Sequence, residues 1–158
     1  MKIYTIGHSN HAIERFVGLL RQHGVEEVAD VRTHPHSRYV PQYNAGPLRD
    51  TLARCGIRYT HLRALGGKPE DPLLRRPDGT PDYDRIQASH AFAEAIDALV
   101  SRACERRVAL LCAESDPAEC HRERLIAPVL RARDIAVWHI LPDGTIAQET
   151  QPILPLTD

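Results

Sequence analysis

The chain has 158 residues, of which 42% are hydrophobic and 26% charged, and this is typical of one globular domain. Its formal net charge of −1 excludes a grossly basic nucleic-acid coat and an acidic tail. The longest apolar run covers residues 108–113, far short of the roughly 20 residues that span a bilayer.

Hydrophobic periodicity predicts strands and helices in alternation along the chain. Short, largely apolar runs predict strands over residues 2–6, 25–31, 57–61, 107–112 and 135–141, with an edge strand at 145–148. Apolar residues at helical spacing predict helices over residues 12–23, 47–55, 88–106 and 118–133. Residues 62–86 are polar and rich in Gly, Pro and Asp, which predicts a long irregular excursion.

Repeated strand–helix alternation is typical of βαβ units. It predicts an α/β fold: a single three-layer domain with a mostly parallel sheet of about five strands and helices on both faces. No repeat or linker divides the chain, so we expect one domain over residues 1–150. Residues 151–158 form a Pro-rich tail that we expect to be weakly ordered.

Cysteine usage indicates a reducing compartment. The four cysteines (Cys55, Cys104, Cys112 and Cys120) are too few for a disulfide scaffold in a chain of this size. No apolar signal segment follows Met1, because residues 2–6 lead directly into the first predicted strand. We therefore expect reduced thiols and a cytoplasmic protein.

Polar, chemically capable residues recur directly after the predicted strands. In open α/β sheets the ligand site lies outside the carboxyl ends of the strands, so a shared position at this rim predicts a site. The candidates are His8 and Ser9 after the first strand, Asp30, Arg32 and Arg38 after the second, and Cys112 and Glu114 after the fourth.

The segment 112–122 carries the densest local pattern. Asp116 and Pro117 are typical of a helix start, and Glu119 completes a capping box, which predicts a helix with Cys120 in its first turn. Unpaired N–H groups at that end attract anions and favour a thiolate. Cys120, His121 and Arg122 are therefore candidate binding residues.

Structural interpretations of the two cysteines stay open. Cys112 is also explained as a small buried side chain that closes a strand, and Cys120 as helix packing. The seven residues between them do not match a common zinc pattern. Pro128 should kink the last helix, because it lacks the N–H that would bond to Arg124.

Arginine strongly outnumbers lysine. Lys2 and Lys68 are the two lysines among 20 basic residues, so 18 are arginines. Codon usage in a GC-rich genome explains arginines on predicted helices. Arg32, Arg38 and Arg122 instead follow or flank strand ends, where the guanidinium fork suits phosphate or carboxylate.

A set of short motifs occurs in a fixed order: Thr5-Ile6-Gly7-His8-Ser9, Asp30-Val31-Arg32 with Pro35 and Ser37-Arg38, Leu65-Gly66-Gly67, Leu111-Cys112-Ala113-Glu114 and Cys120-His121-Arg122. Together they resemble the bacterial and archaeal family called domain of unknown function 488, over about residues 2–141. The resemblance implies a compact, cytosolic α/β domain and assigns no activity. Its pattern overlaps the rim candidates listed above, together with Cys120, His121 and Arg122. The chain departs from the pattern at residues 39–43, where relatives often have Asn or Lys and a Phe.

The leading hypothesis is an enzyme, a hydrolase, that acts on a phosphate-bearing substrate such as a nucleotide or nucleic-acid end. His8, Asp30 or Glu114 would move protons, and Cys112 would be either the nucleophile or a redox-sensitive bystander. Ser9, Arg32, Arg38, Cys120, His121 and Arg122 would bind the substrate. No cofactor and no membrane partner are expected.

Two alternatives stay open. A non-catalytic module would use the same arginines to bind a nucleotide, nucleic acid or protein. A metal-dependent hydrolase would use His8, Cys112, Cys120 and a carboxylate.

Overall fold

Residues 1–148 are described by the computed structural model, and they form a six-stranded sheet. The strands are β1 (Lys2–Gly7), β2 (Glu27–Asp30), β3 (Arg58–His61), β4 (Val108–Cys112), β5 (Ala136–Ile140) and β6 (Ile146–Gln148). They lie in the order β3-β2-β4-β1-β5-β6. β1 to β5 are parallel, and β6 pairs antiparallel with β5 at one edge. The predicted α/β class is confirmed, with six strands rather than about five.

Burial along the strands follows their place in the sheet. Every residue of β2 and β4 is buried, as expected of central parallel strands covered on both faces. The edge strand β3 has no fully buried residue, and neither has β6. β1 lies between β4 and β5, and Thr5 is in register with Leu110 on one side and His139 on the other.

Helices cover both faces of the sheet, which confirms the three-layer prediction. They are α1 (Ile13–Gln22), α2 (Ala45–Arg54), α3 (Tyr83–Ala88), α4 (His90–Glu105) and α5 (Ala127–Arg131). α1 and α2 bury Phe16 and Leu48 on one face, and α4 and α5 bury Phe92 and Leu130 on the other. Each such side chain contributes about 1.5–3 kcal/mol through burial. Within residues 1–148, every helix is too short or too polar to cross a bilayer.

The excursion over residues 62–86 is more regular than predicted. It contains the single 3₁₀ turns Arg63–Leu65 and Pro72–Leu74, and α3 begins within it. Leu65 and Ile86 are buried in the core below α4, and these two anchors order a segment whose composition is otherwise polar. The tail over residues 151–158 and the predicted domain boundary at residue 150 lie outside the described residues.

The predicted continuous helix over residues 118–133 is wrong at its start. The Asp116 carboxylate accepts the Ala118 N–H and caps only the single 3₁₀ turn Pro117–Glu119. Cys120 then has an extended backbone, with φ −124° and ψ 149°, which ends that turn. Helical backbone resumes at His121, so Cys120 precedes the helix instead of lying in its first turn.

A π-helical stretch, Arg122–Ile126, leads into α5. Pro128 at the start of α5 has no N–H to donate, and the regular hydrogen-bond ladder is replaced by wider π turns directly before it. The helix irregularity that the sequence predicts at Pro128 is this π-helical stretch. Glu119 forms no capping box and instead lies 3.6 Å from Arg124.

The topology opens a crevice between β2 and β4. These two strands are neighbours, but the chain leaves β2 through α2 on one face and leaves β4 through α5 on the other. Connections that diverge from adjacent parallel strands leave a cleft at their carboxyl ends, which is where α/β proteins bind ligands.

Candidate functional site

A cavity of about 340 Å³ lies at the carboxyl ends of β2 and β4. This volume is within the range of roughly 300–1,000 Å³ that is typical of small-molecule sites. Five of the predicted site residues line it: Arg32, Cys112, Glu114, Cys120 and His121. The predicted rim therefore does bring part of the candidate set into one cleft.

The Cys120 sulfur caps the helix that starts at His121. It accepts the backbone N–H of Arg122 and the Nε–H of the same residue, both at 3.4 Å. His121 Nδ1 lies 3.6 Å away on another side. Because these N–H groups point at the sulfur near a helix N-terminus, the surroundings stabilise a thiolate at Cys120.

His121 is oriented with one ring nitrogen toward the Cys120 sulfur. The Val31 carbonyl oxygen accepts from His121 Nε2 at 2.8 Å, so this ring nitrogen carries a hydrogen. Nδ1 then faces Cys120 Sγ either with a lone pair toward a thiol or with a second hydrogen toward a thiolate. His121 is thus held in the orientation in which it can take the thiol proton.

Cys112 and Cys120 both line the cavity and are buried in the same core cluster. The Cys112 thiol lies 3.7 Å from the Glu114 carbonyl oxygen. The hydrogen bond from Cys112, together with His121 and Arg122, lowers the pKa of the Cys120 thiol well below its ordinary value. Burial, and then the hydrogen bond to Cys120, raise the pKa of Cys112. The geometry therefore favours Cys120 over the predicted Cys112 as a nucleophile.

Arg122 is a fully buried guanidinium whose partners include no carboxylate. Nη1 donates to Thr5 Oγ1 at 3.0 Å, Nη2 donates to the Glu114 carbonyl oxygen at 2.7 Å, and Nε donates to Cys120. Among residues 1–148 no acidic side chain forms an ion pair with it. A buried charge without compensation is costly, so the Cys120 thiolate is its natural counter-ion.

Behind Arg122 a directed chain of hydrogen bonds crosses the sheet. Thr5 Oγ1 lies 2.6 Å from His139 Nδ1, and His139 Nε2 lies 2.7 Å from Glu123 Oε2. Since the carboxylate accepts, Nε2 carries the hydrogen of His139, and Nδ1 accepts from the Thr5 hydroxyl. This leaves Thr5 free to accept from Arg122. Burial lowers the pKa of His139, consistent with a neutral ring.

Asp30 holds Arg32 rather than facing the cavity. Its Oδ1 accepts from Arg32 N and Nε, and its Oδ2 accepts from Arg32 Nη2 at 2.7 Å and from Tyr59 OH at 2.6 Å. With both oxygens occupied and the residue fully buried, Asp30 is better suited to positioning Arg32 than to moving protons. A bidentate pair of this kind fixes the guanidinium plane.

His8 contacts the Arg32 guanidinium and helps to fix its position. Its ring stacks on Tyr43 at 4.5 Å, Nδ1 donates to the Ser9 carbonyl oxygen at 2.7 Å, and Nε2 lies 3.3 Å from Arg32 Nη1. Burial lowers the pKa of His8, so its neutral Nε2 accepts from Arg32. Ser9 has a positive φ of 46° and lies beside this loop, outside the cavity lining.

The structure separates Arg38 from the other predicted arginines. Arg38 is exposed, lies over the ring of Tyr39 at 5.2 Å, and does not line the cavity. Glu114 is exposed at the cavity mouth, and its backbone carbonyl accepts from Arg122. Glu114 is therefore the predicted acid or base with a side chain in the right place.

Several cavity residues were not predicted from the sequence. They are Thr33, His34, His36, Lys68, Tyr83 and Glu119. Lys68 follows the turn at Gly66 and Gly67, where the chain packs closely against the site. A Cβ on Gly66 would clash with Thr33, and a Cβ on Gly67 would lie 2.9 Å from Cβ of His121. A Gly-Gly pair was thus the available signal for a loop that packs tightly against the site.

The described residues offer no ligand arrangement for the alternative metal site. In the part of the chain that the structure describes, no three His, Cys, Asp or Glu side chains are placed to hold one ion. His8 contacts Arg32 with Nε2 and the Ser9 carbonyl with Nδ1, so neither nitrogen is directed at Cys112 or Cys120.

Comparison with known proteins adds a family and no activity. No curated protein and no solved structure matches the chain significantly. The family model described as domain of unknown function DUF488 matches residues 12–129, about three quarters of the chain. This segment contains β2 and β4, Arg32, both cavity cysteines and Arg122. The chain therefore belongs to the DUF488 family, in agreement with the motif resemblance.

Proposed function

We propose that the chain is an enzyme that acts on a phosphate-bearing substrate, with the Cys120 thiolate as its nucleophile. The observation that carries the proposal is the fully buried Arg122 guanidinium, which lies behind the cavity lining and donates to Cys120, a residue that does line the cavity. Burial of a charged sulfur costs free energy of solvation, and a thiolate that is nevertheless stabilised by a neighbouring cation is typical of a reactive site.

Opposite the thiolate, two cations line the same cavity. Arg32 is held by Asp30, and Lys68 is exposed at the mouth with no acidic partner among the described residues. A guanidinium fixed on a carboxylate and a free ammonium together suit a phosphate group. This arrangement supports an anionic substrate whose reactive centre faces Cys120.

The reaction class that fits these groups is hydrolysis in two steps. In the first, Cys120 Sγ bonds to the electrophilic centre, and the leaving group departs with its electron pair and takes a proton from solvent. In the second, the Glu114 carboxylate takes a proton from water, whose oxygen displaces the sulfur. The thiolate returns to Arg122, which stabilises it as the leaving group.

The test measures the reactivity of Cys120 in the reduced protein. Alkylation by iodoacetamide, located by peptide mass spectrometry across a range of pH, should modify Cys120 below the pH at which ordinary thiols react. Inorganic phosphate and AMP should slow this alkylation. Lys68→Ala should weaken the protection, and Arg38→Ala, at an exposed arginine outside the cavity, should leave it unchanged.

Turnover separates an enzyme from a binding module. Nucleoside phosphates and 5′-phosphorylated oligonucleotides should include a substrate that is hydrolysed by the wild type and not by Cys120→Ser. Protection of Cys120 by phosphate with no hydrolysis and no covalent adduct would establish the non-catalytic binding module instead. Alkylation of Cys120 only at the pH of ordinary thiols would overturn the proposed nucleophile.

A further inference from the structure

The second cavity cysteine has no part in the proposed hydrolysis. Cys112 is 1% exposed and Cys120 is 3% exposed, and both line the same cavity. The Cys112 thiol lies 3.7 Å from the Glu114 carbonyl oxygen, which also accepts from Arg122 Nη2, and Arg122 Nε donates to the Cys120 sulfur. The proposed hydrolysis leaves this second buried thiol without a role.

The other two cysteines provide an internal comparison. Cys55 caps the C-terminus of α2 against the opposite core cluster, and Cys104 is exposed near the end of α4. Neither lines the cavity. Among the described cysteines, only Cys112 and Cys120 line this cavity and lie around the buried Arg122 guanidinium.

We propose that Cys120 is a site of reversible oxidation by hydroperoxides and that Cys112 is its resolving thiol, so that the pair closes to an intramolecular disulfide. The proposal shares the Cys120 thiolate with the proposed function, but it requires neither an anionic substrate nor turnover. Redox-active cysteines of this kind combine thiolate character, access from a cavity and a neighbouring thiol.

The chemistry balances with a hydroperoxide as oxidant. The Cys120 thiolate attacks the outer peroxide oxygen, the O–O bond breaks, and the alcohol or water leaves after taking a proton, which gives a sulfenic acid. Cys112 sulfur then attacks Cys120 sulfur, the S–S bond forms, and the hydroxyl group leaves as water with the Cys112 proton. A dithiol reductant returns both electrons and both thiols by exchange.

Oxidation of Cys120 changes the charges that act on the Cys112 thiol. In the reduced pair, the anionic Cys120 sulfur disfavours a second negative charge on Cys112. Conversion of Cys120 to a neutral sulfenic acid removes this repulsion, whereas the Arg122 cation stays in place and favours a Cys112 thiolate. Burial is the largest cause of the raised Cys112 pKa and stays, but oxidation of Cys120 removes the causes that come from its sulfur and so favours attack by Cys112.

The disulfide would also remove the counter-ion of Arg122. With both sulfurs neutral, the buried guanidinium keeps only Thr5 and the Glu114 carbonyl as hydrogen-bond acceptors. An uncompensated buried charge is destabilising, which favours ready reduction of the bond. The oxidised site would hold no nucleophile, so oxidation would switch off the proposed hydrolysis.

The experiment oxidises the reduced, full-length protein with one equivalent of hydrogen peroxide. Non-reducing peptide mapping should find a Cys112–Cys120 disulfide in the wild type, and dithiothreitol should reverse it. In Cys112→Ser, dimedone should instead trap a sulfenic acid at Cys120, and excess peroxide should drive it to the sulfinic acid. The double variant Cys55→Ser/Cys104→Ser is the matched control and should form the same disulfide as the wild type.

Two outcomes would overturn the inference. One is a dimedone adduct at Cys120 of equal yield in the wild type and in Cys112→Ala, which would show that Cys112 resolves nothing. The other is oxidation confined to Cys55 or Cys104. Circular dichroism of each variant before oxidation identifies any protein that is unfolded. Where Cys112→Ser does not fold, Cys112→Ala replaces it in the experiment, because it puts a small apolar group in place of the buried thiol.

The same preparations separate this inference from the proposed function. If Cys120 alkylates at low pH and is protected by phosphate, but peroxide forms no disulfide, only the oxidation proposal fails. If the disulfide forms and phosphate gives no protection, the oxidation proposal holds and the anionic substrate is wrong.

Discussion

At the scale of single residues, the site depends on which groups point at which sulfur. The sequence predicted that Cys112, Cys120 and Arg122 lie at one rim, because strand ends and helix starts can be located from periodicity. It assigned the reactive role to Cys112, whereas the N–H groups of Arg122 converge on Cys120. The direction of a side chain and the extended backbone at Cys120 depend on tertiary contacts, which one-dimensional spacing does not contain.

The charge on Arg122 should control the reactivity of Cys120. In Arg122→Met the pKa of Cys120 should rise, because the cation that favours the thiolate is gone. The midpoint of the alkylation rate against pH should move to higher pH, and where the pKa exceeds the assay pH the rate should fall by about tenfold for each further unit. Arg122→Lys, which keeps a positive charge, should retain more of the reactivity than Arg122→Met.

Arg124→Met is the matched control for this experiment. Arg124 is exposed on the same helix, and its side chain donates to the Ala118 carbonyl and lies near Glu119 instead of contacting the Cys120 sulfur. Its removal should leave the alkylation profile unchanged. An Arg122→Met protein that is folded and as reactive as the wild type would contradict the assignment of Arg122 as counter-ion.

Two buried histidines should make the stability fall in mild acid. Burial lowers the pKa of both His8 and His139, whereas each has an ordinary pKa near 6.5 in the unfolded chain. Below about pH 6.5 the unfolded state therefore binds more protons than the folded state, and the free energy of unfolding decreases as the pH falls. Each histidine contributes a slope of at most about 1.4 kcal/mol per pH unit.

Urea unfolding at about pH 7.5 and about pH 5.5 measures this slope. His139→Gln should reduce the loss of stability between the two values. His90→Gln should not, because His90 is 86% exposed. A wild-type stability that is flat or rises toward the acid side would contradict the neutral state of both rings.

At the scale of elements, periodicity predicted the strands and most helices within a few residues. It could not predict the two irregularities that shape the site, the break at Cys120 and the π stretch Arg122–Ile126. The capping signals at Asp116 and Pro117 are real, but they serve one 3₁₀ turn. A buried Arg122 that reaches Thr5 across the sheet favours a helix that starts later.

Two glycines in neighbouring elements should respond to alanine in opposite ways. A Cβ on Gly7, at the end of β1, would overlap the Glu114 carbonyl group that Arg122 uses, so Gly7→Ala should destabilise the fold by at least about 2–3 kcal/mol. Gly18 is exposed within α1, and a Cβ there meets no atom within 4 Å. Gly18→Ala should stabilise the protein by about 0.5–1 kcal/mol.

Thermal and urea unfolding of the two variants provide the comparison. The Gly7→Ala protein should also lose the low-pH alkylation of Cys120, because the Glu114 carbonyl must move away from Arg122. A Gly7→Ala protein with wild-type stability would show that the β1–β4 loop contact is looser than the geometry requires.

At the scale of the whole molecule, the positive side chains at the cavity contrast with the slightly negative net charge of the chain. The net charge is −1, yet Arg32 and Lys68 line one cavity at the end of two fully buried strands, β2 and β4. A net charge near zero gives the protein as a whole little electrostatic attraction to duplex DNA. A cavity of about 340 Å³ instead suits a terminal phosphate and the atoms next to it.

The salt dependence of binding should therefore reveal few phosphate contacts. A short 5′-phosphorylated single strand, followed by fluorescence anisotropy, should give a log–log slope of about −0.7 to −1.4, which corresponds to one or two neutralised phosphates. The same strand with a 5′-hydroxyl end should bind more weakly, because its missing phosphate is the group that Arg32 and Lys68 would contact. A slope several times steeper, or equal binding of the two strands, would indicate contact along the backbone and would remove the cavity as the binding site.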